Sequence, residues 1–107
     1  MLKKRERLSR SDFNTLFKHG KRFHTGFFTL LYSDNQKEMK CGLVVSKKVA
    51  KHAVKRNKLR RKVYHILKDS KQLLNHKHLA VLTKPTITTL TSEELRKELQ
   101  EAFTRLS

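Results

Sequence analysis

The chain has 107 residues, enough for one domain and too few for two. Its 26 Lys and Arg against 9 Asp and Glu give a formal net charge of +17 at pH 7, and self-repulsion on that scale opposes compaction, which argues against a protein serving only small neutral molecules. The longest apolar runs, such as Leu30-Leu31-Tyr32 and Leu43-Val44-Val45, fall far short of a membrane span, and no apolar stretch follows the basic start, so neither a membrane segment nor a secretory signal is expected.

Residues 9–19 read as a short helix. Ser11 or Ser9 can cap it, Phe13, Leu16 and Phe17 recur at helical spacing, and Gly20 ends it. Residues 23–32 are aromatic, β-branched or leucine with Thr25 and Gly26 interrupting, which predicts one or two strands. Ser33-Asp34-Asn35 reads as a turn, and 39–46 as a paired strand with Met39, Cys41, Leu43 and Val45 on one face. Residues 48–69 are helical in composition, with an apolar stripe of Leu59, Val63, Ile66 and Leu67. Arg56 falls nearer that stripe than the other bases do, so either the first turn projects past the core or the helix begins near it. In both cases the helix N-terminus beside Arg56 and Asn57 suits a phosphate. Residues 79–83 form a short strand stopped by Pro85, 86–91 a Thr-rich connection. Thr91 or Ser92 caps a last helix striped by Leu95, Leu99, Ala102, Phe103 and Leu106, with Glu94 placed for a capping box. The order α-β-β(-β)-α-β-α predicts a small α/β sandwich, one sheet of about four mostly antiparallel strands with three helices packed on it, in a single domain over 1–107.

The charge is unevenly placed. Residues 40–68 carry eleven bases and no acid, whereas four of the nine acids lie in the last fifteen residues. A solvated helix face usually mixes signs, so the counterions for this stretch are expected from a polyanionic partner. Motifs for other chemistries are missing. Three glycines build no phosphate-cradling loop, and the scattered acids build no two-metal nuclease site. His76-x-His78 lacks a thiol pair to complete a zinc site, and mid-strand Cys41 reads as a small core residue. An unpaired cysteine fits a reducing cytoplasm.

At Lys55-Arg56-Asn57-Lys58-Leu59-Arg60-Arg61 the chain resembles the protein component of bacterial ribonuclease P, and the resemblance covers nearly all of it. Leu2 to Leu8 is similar to that family's basic N-terminal segment (about 1–8), and Ser11-Asp12-Phe13 through Gly20 to its first helix. Gly42 to Val49 is similar to the strand entering its basic helix, Ala53 to Arg61 to its signature, and Ala80-Val81-Leu82-Thr83-Lys84-Pro85 with the closing helix to its C-terminal third. Lys58 stands where the family usually has arginine, Tyr64-His65 where it often has Arg-Glu, and the loop over 48–56 is about one residue longer.

The resemblance implies the small subunit of a ribonucleoprotein endonuclease whose catalytic RNA, with Mg²⁺ held mainly by RNA and substrate, removes the 5′ leader of precursor tRNA. No residue of the protein is catalytic in that scheme, and no obligate protein partner or membrane is involved. It also implies a left-handed β-α-β crossover, against the usual hand. The RNA-binding residues it implies are Lys47, Lys48, Lys55, Arg56, Asn57, Lys58, Arg60, Arg61 and Lys62. The leader would lie in a cleft between the sheet and the first helix, at Phe13 and Phe17 and at a third position near Leu31, with Tyr32 beside it. At helical spacing Phe13 and Phe17 are equally suited to a core. The alternatives are a ribosomal or chaperone RNA-binding protein, a DNA-binding repressor, disfavoured by the lack of helix-turn-helix spacing, and a protein nuclease.

Overall fold

The computed structural model describes residues 2–106. Ser9 caps the first helix, α1 (Arg10–His19): its hydroxyl accepts from the Asp12 N–H at 3.1 Å while Asp12 accepts from the Ser9 N–H at 3.0 Å. Two strands follow, β1 (Lys21–His24) and β2 (Phe28–Ser33), so the aromatic stretch is a hairpin and not one strand. Thr25 makes the turn, its hydroxyl accepting from the N–H groups of Phe27 and Phe28. Next come β3 (Lys40–Val44), α2 (Ala53–Asp69), β4 (His78–Thr83) and α3 (Ser92–Leu106). The Thr-rich connection is a 3-10 turn over Pro85–Thr89, and Thr91 with Glu94 forms the expected capping box ahead of α3.

The sheet order is β1-β2-β4-β3. The pairs β1-β2 and β2-β4 are antiparallel, while β3 lies parallel to β4 and is joined to it through α2. Strand alternation gives the sheet two apolar faces. Phe28, Leu30, Cys41, Leu79 and Val81 face α2 and α3, where Val63, Ile66, Leu67, Leu95, Leu99 and Phe103 complete the main core. Leu31 and Ala80 face the other way, under Leu16 of α1. Burial pushes the Cys41 thiol up to about 12, so it stays protonated and packs as a small apolar group.

One expectation is corrected, and the N-terminal segment takes a defined place. The second helix begins at Ala53, not at residue 48, because the chain turns at Lys47–Val49 (Val49 N–H to Ser46 O, 3.0 Å) and His52, still extended, is the N-cap. The basic N-terminal segment is part of the fold: Leu2 is buried in the main core, Lys4–Glu6 forms a 3-10 turn, Glu6 pairs with Lys71 at 2.8 Å, and the Leu8 N–H donates to Cys41 O at 3.0 Å.

The loops at one end of the sheet are clamped by charge. Lys77 is buried and pairs with Asp34, which also meets Lys21 at 3.4 Å. Asn35 and His76 both adopt left-handed backbone (φ 62° and 61°), and the Gln36 N–H donates to His76 O at 3.0 Å. The Lys77 ammonium, followed by burial acting in the opposite sense, sets the balance that holds the Asp34 carboxyl below its ordinary 3.8. Asp34→Asn is therefore expected to cost about 1–3 kcal/mol at pH 7 by leaving a buried cation poorly matched. A depressed folded-state value stabilises the fold above 3.8 and is lost as pH falls through the lower native value, so the gap between wild type and variant should close below pH 3.8. Urea unfolding at pH 7 and across the acid range checks this. A gap independent of pH would assign the loss to something other than the ion pair.

Candidate nucleic-acid interface

The α1 helix lies across the strands. It starts near β3, where the Phe13 ring rests on Gly42, passes Leu16 over Leu31 and Ala80, and ends at Gly20 beside β1. A Cβ on Gly42 would come within 2.4 Å of Phe13 Cζ, so only glycine permits this approach. The register then defines rows of side chains on this face. Leu31, Ala80 and Gly42 lie under the helix. On one side are Ser33, His78 and Lys40, and there Asp12 reaches Lys40 at 3.7 Å. On the other side are Thr29, Leu82 and Val44, with His24 next to Thr29 and its ring Nδ1 3.0 Å from the Thr29 hydroxyl.

Asp12 and Phe17 are about 140° apart around α1, so Phe17 points away from the side where Asp12 meets Lys40. Phe17 is 47% exposed and Val44 41%, the chief apolar exposure on this face. Together with half-buried Phe13 and Leu82 they are the apolar side chains that this face offers at its surface. Leu31 is not among them. Leu31 is fully buried beneath Leu16, because alternation turns it straight under the helix, and neighbouring Tyr32 points to the opposite face with the main core. Val44, exposed, and Leu82, half-buried, are the strand side chains of this face that reach the surface beside it. Only the strand register puts those two side by side, so the sequence alone did not single them out.

The second set of residues sits where β3 leaves the sheet. Lys47 and Lys48 are exposed on the turn that follows it, and α2 returns from the same end. Lys55, Lys58 and Lys62 line a groove toward the 3-10 turn and α3, and Arg61, Lys62 and His65 share another with Arg96. On the other flank the Asn57 side-chain oxygen accepts from Arg60 at 3.2 Å. There burial pushes the Tyr64 phenol up, while the cations of Arg7 and Arg60 oppose that shift. The N-terminal segment thus brings Arg7 to the signature helix. Arg56 stands apart from the other bases: one guanidinium nitrogen donates to the carbonyls of Ala50 (3.0 Å) and Lys51 (2.9 Å). It ties the loop carrying Lys47 and Lys48 to the first turn of α2.

Among the described residues no three His, Cys, Asp or Glu side chains come together as a metal site, and His76 Nδ1 donates to the Gln36 carbonyl at 3.1 Å. Burial lowers the His78 imidazole, which therefore adds no positive charge at neutral pH. No helix is long and apolar enough to cross a membrane among the described residues.

A family model described as Ribonuclease P matches residues 2–107. The chain belongs to the ribonuclease P protein family. It is 35% identical over 109 residues to the ribonuclease P protein component of Bacillus velezensis, covering 99% of this chain and 93% of the relative. To the Bacillus pumilus protein of the same name it is 35% identical over 106 residues, covering 95% and 88%. The solved ribonuclease P protein of Thermotoga maritima superposes with a TM-score of 0.83 at 28% identity, over 95% of this chain and 98% of that one. The Staphylococcus aureus protein shares the fold, with a TM-score of 0.86 at 23% identity over 95% of each chain. The chain is thus the protein subunit of the endoribonuclease ribonuclease P, a ribonucleoprotein of tRNA 5′ processing, and its macromolecular partner is the RNA subunit. The α+β architecture and element order agree with these relatives.

Arg56→Lys keeps the charge but cannot reproduce the planar, two-carbonyl contact. It is expected to cost the loop about 1–2 kcal/mol and to speed amide exchange at Val49 and Ala50 by about 5- to 30-fold, with α2 intact. Unchanged protection at those amides would mean that the loop holds its shape without the guanidinium.

Proposed function

We propose that the cleft between α1 and the sheet holds the single-stranded 5′ leader of precursor tRNA, while the cations of α2 and the turn before it address the RNA subunit. The observation that carries this reading is Phe17, exposed on the α1 side of the sheet that also exposes Val44, while its neighbour Leu16 is buried. An unpaired aromatic face beside an apolar floor suits stacked bases, because every base has a π-face and no sequence is demanded. Phe13 serves as wall and as packing on Gly42, and Leu31 supports the floor from within. Lys47 and Lys48 follow Val44 in the chain and supply phosphate contacts at the cleft's end.

The other cations, Lys55, Lys58, Arg60, Arg61 and Lys62 with the Asn57 amide, give the RNA subunit a surface whose binding free energy comes largely from counterion release. Arg56 contributes charge to that surface and shape to its loop. Cleavage itself depends on Mg²⁺ held mainly by RNA phosphates, and the protein improves binding and alignment of the scissile bond. The cytoplasm is the compartment that fits this task, and reduced Cys41 is compatible with it.

Reconstitution tests the reading. The full protein, mixed with the catalytic RNA of its host and precursor tRNA at low magnesium, should stimulate 5′ cleavage and show none alone. Phe17→Ala should weaken binding of leader-bearing precursor to the holoenzyme by roughly 5- to 150-fold, corresponding to about 1–3 kcal/mol for a lost stack. Mature tRNA should be affected little. Equal losses for both would place Phe17 in the protein's own packing.

A further inference from the structure

The edges of the sheet are β1 and β3, and the fold covers only β3. There the N-terminal segment lies alongside, with Arg7 bridged to Cys41 and the Leu8 N–H donating to Cys41 O at 3.0 Å. Along the outer side of β1 no strand pairs among the described residues. The ladder fixes which backbone groups are left over. The Thr25 N–H donates to Phe28 O at 2.9 Å, and the register sets Phe23 opposite Leu30 and Lys21 opposite Tyr32. In an antiparallel ladder every second residue turns both its N–H and its C=O to the same neighbour. Lys21, Phe23 and Thr25 therefore bond to β2, while Arg22 and His24 direct their backbone groups outward. Such an edge is a template for another strand.

The side chains along this edge restrict what can pair with it. Phe23 and Thr25 form a recess of about 130 Å³ with Glu98, Glu101, Ala102 and Arg105 of α3. Carboxylates are scarce in this chain, yet Glu98 and Glu101 enter no ion pair among the described residues. On the same side of β1 the Lys21 side chain is 67% exposed, meets Asp34 at 3.4 Å and lies 5.9 Å from the centre of the Tyr32 ring. An exposed pair of that kind holds little free energy, so the ammonium is free to exchange carboxylates.

We propose that β1 pairs with β1 of a second copy of the chain, antiparallel about a two-fold axis at Phe23, so that the two sheets become one. Outward backbone groups must face outward groups, which restricts the axis to Arg22, Phe23 or His24. An axis at Arg22 sets two guanidinium side chains face to face, and one at His24 carries the pairing into the hairpin turn at Gly26. The axis at Phe23 bonds Arg22 of each copy to His24 of the other. It brings the two Phe23 rings together at a closely spaced pair and sets Lys21 of each copy opposite Thr25 of the other, beside Glu98 and Glu101. One chain thus supplies the edge, the aromatic contact and the missing counterion, whereas a basic segment of another protein has no reason to match this register. The pairing leaves the combined sheet without an open edge. An axis normal to the sheet also keeps both α1 helices on one side. Each copy carries +17, so repulsion opposes the pair at low ionic strength and screening favours it.

Sedimentation equilibrium of the full protein without RNA tests this over about 10 μM to 1 mM, the range that suits a small interface. A monomer–dimer equilibrium that tightens with added salt is expected. Arg22→Pro removes an outward N–H and no bond to β2, and should weaken the dimer by about 10-fold or more. Lys21→Glu should weaken it by about 3- to 10-fold, and adding Glu98→Lys and Glu101→Lys to that variant should restore it. Phe23→Cys should link two copies through a disulfide under mild oxidation, because closely spaced cross-strand positions match disulfide geometry, and Arg22→Cys should not. Cys41 is buried and does not compete. The charge reversal and the cross-link use no proline, so they decide the matter if Arg22→Pro fails to fold. A monomer throughout the concentration range would overturn the proposal. So would a dimer that neither Arg22→Pro nor Lys21→Glu weakens, or cross-linking through Arg22→Cys as fast as through Phe23→Cys.

Discussion

Scarce negative charge is the constraint on which the rest of this structure depends. A chain at +17 must fold against its own repulsion with nine carboxylates. Five of them have defined structural duties. Asp12 and Glu94 close capping boxes, Glu6 pins the N-terminal turn to Lys71, Asp34 pairs with buried Lys77, and Asp69 joins α2 to α3 through Arg96. Each holds a junction between elements or a helix start. The cations of the signature helix receive almost none of this compensation, so the surface left unneutralised by folding is the one that an RNA must neutralise.

The same economy explains the two faces of the sheet. The main core lies under α2 and α3, where large side chains fill the space. Under α1 the core is small, only Leu16, Leu31 and Ala80 being fully buried, and α1 rests on Gly42 through one ring. A short helix seated on a narrow row covers little of its face, and in the adjoining row Val44 stays exposed and Leu82 half-buried. The cleft is therefore a consequence of using small residues, Gly42 and Ala80, where a sheet sandwich would ordinarily place large ones. Phe17 is exposed for the same reason: at its position on the helix there is no second layer to bury it.

Much of this was legible in the sequence because it depends on local rules. Helical spacing identifies α1 and α3 with their caps, alternation identifies β3, an apolar run stopped by Pro85 identifies β4, and the acid-free run over residues 40–68 identifies the charged surface. What escaped was long-range or depended on a single contact. The place of the basic N-terminal segment is not legible, because nothing local shows that Leu2 reaches the main core or that Leu8 bonds to Cys41. The helix over 48–52 failed because propensity cannot see that Arg56 gathers the Ala50 and Lys51 carbonyls into a loop. Leu31 was placed at the cleft by analogy of position, whereas alternation relative to α1 buries it. The parallel β3-β4 pairing came from family resemblance and not from residue pattern.

Salt acts on this protein in two opposing directions, and both follow from the charge layout. Added ions screen the repulsion among unpaired cations and so favour the folded chain. They also erase the counterion-release gain on binding RNA. RNA itself does what salt does for the fold, but only where it makes contact, and it binds the folded form preferentially. Binding and folding are therefore linked through the same residues. Charge and shape are coupled at two places, the loop that Arg56 holds and the α2-α3 junction that Asp69 closes. Variants at those two places change the charge seen by RNA and the shape that presents it, whereas Lys58 and Lys62, exposed and in no ion pair among the described residues, change chiefly the charge. The difference between those two classes, measured across ionic strength, separates what the RNA recognises from what the fold must withstand to present it.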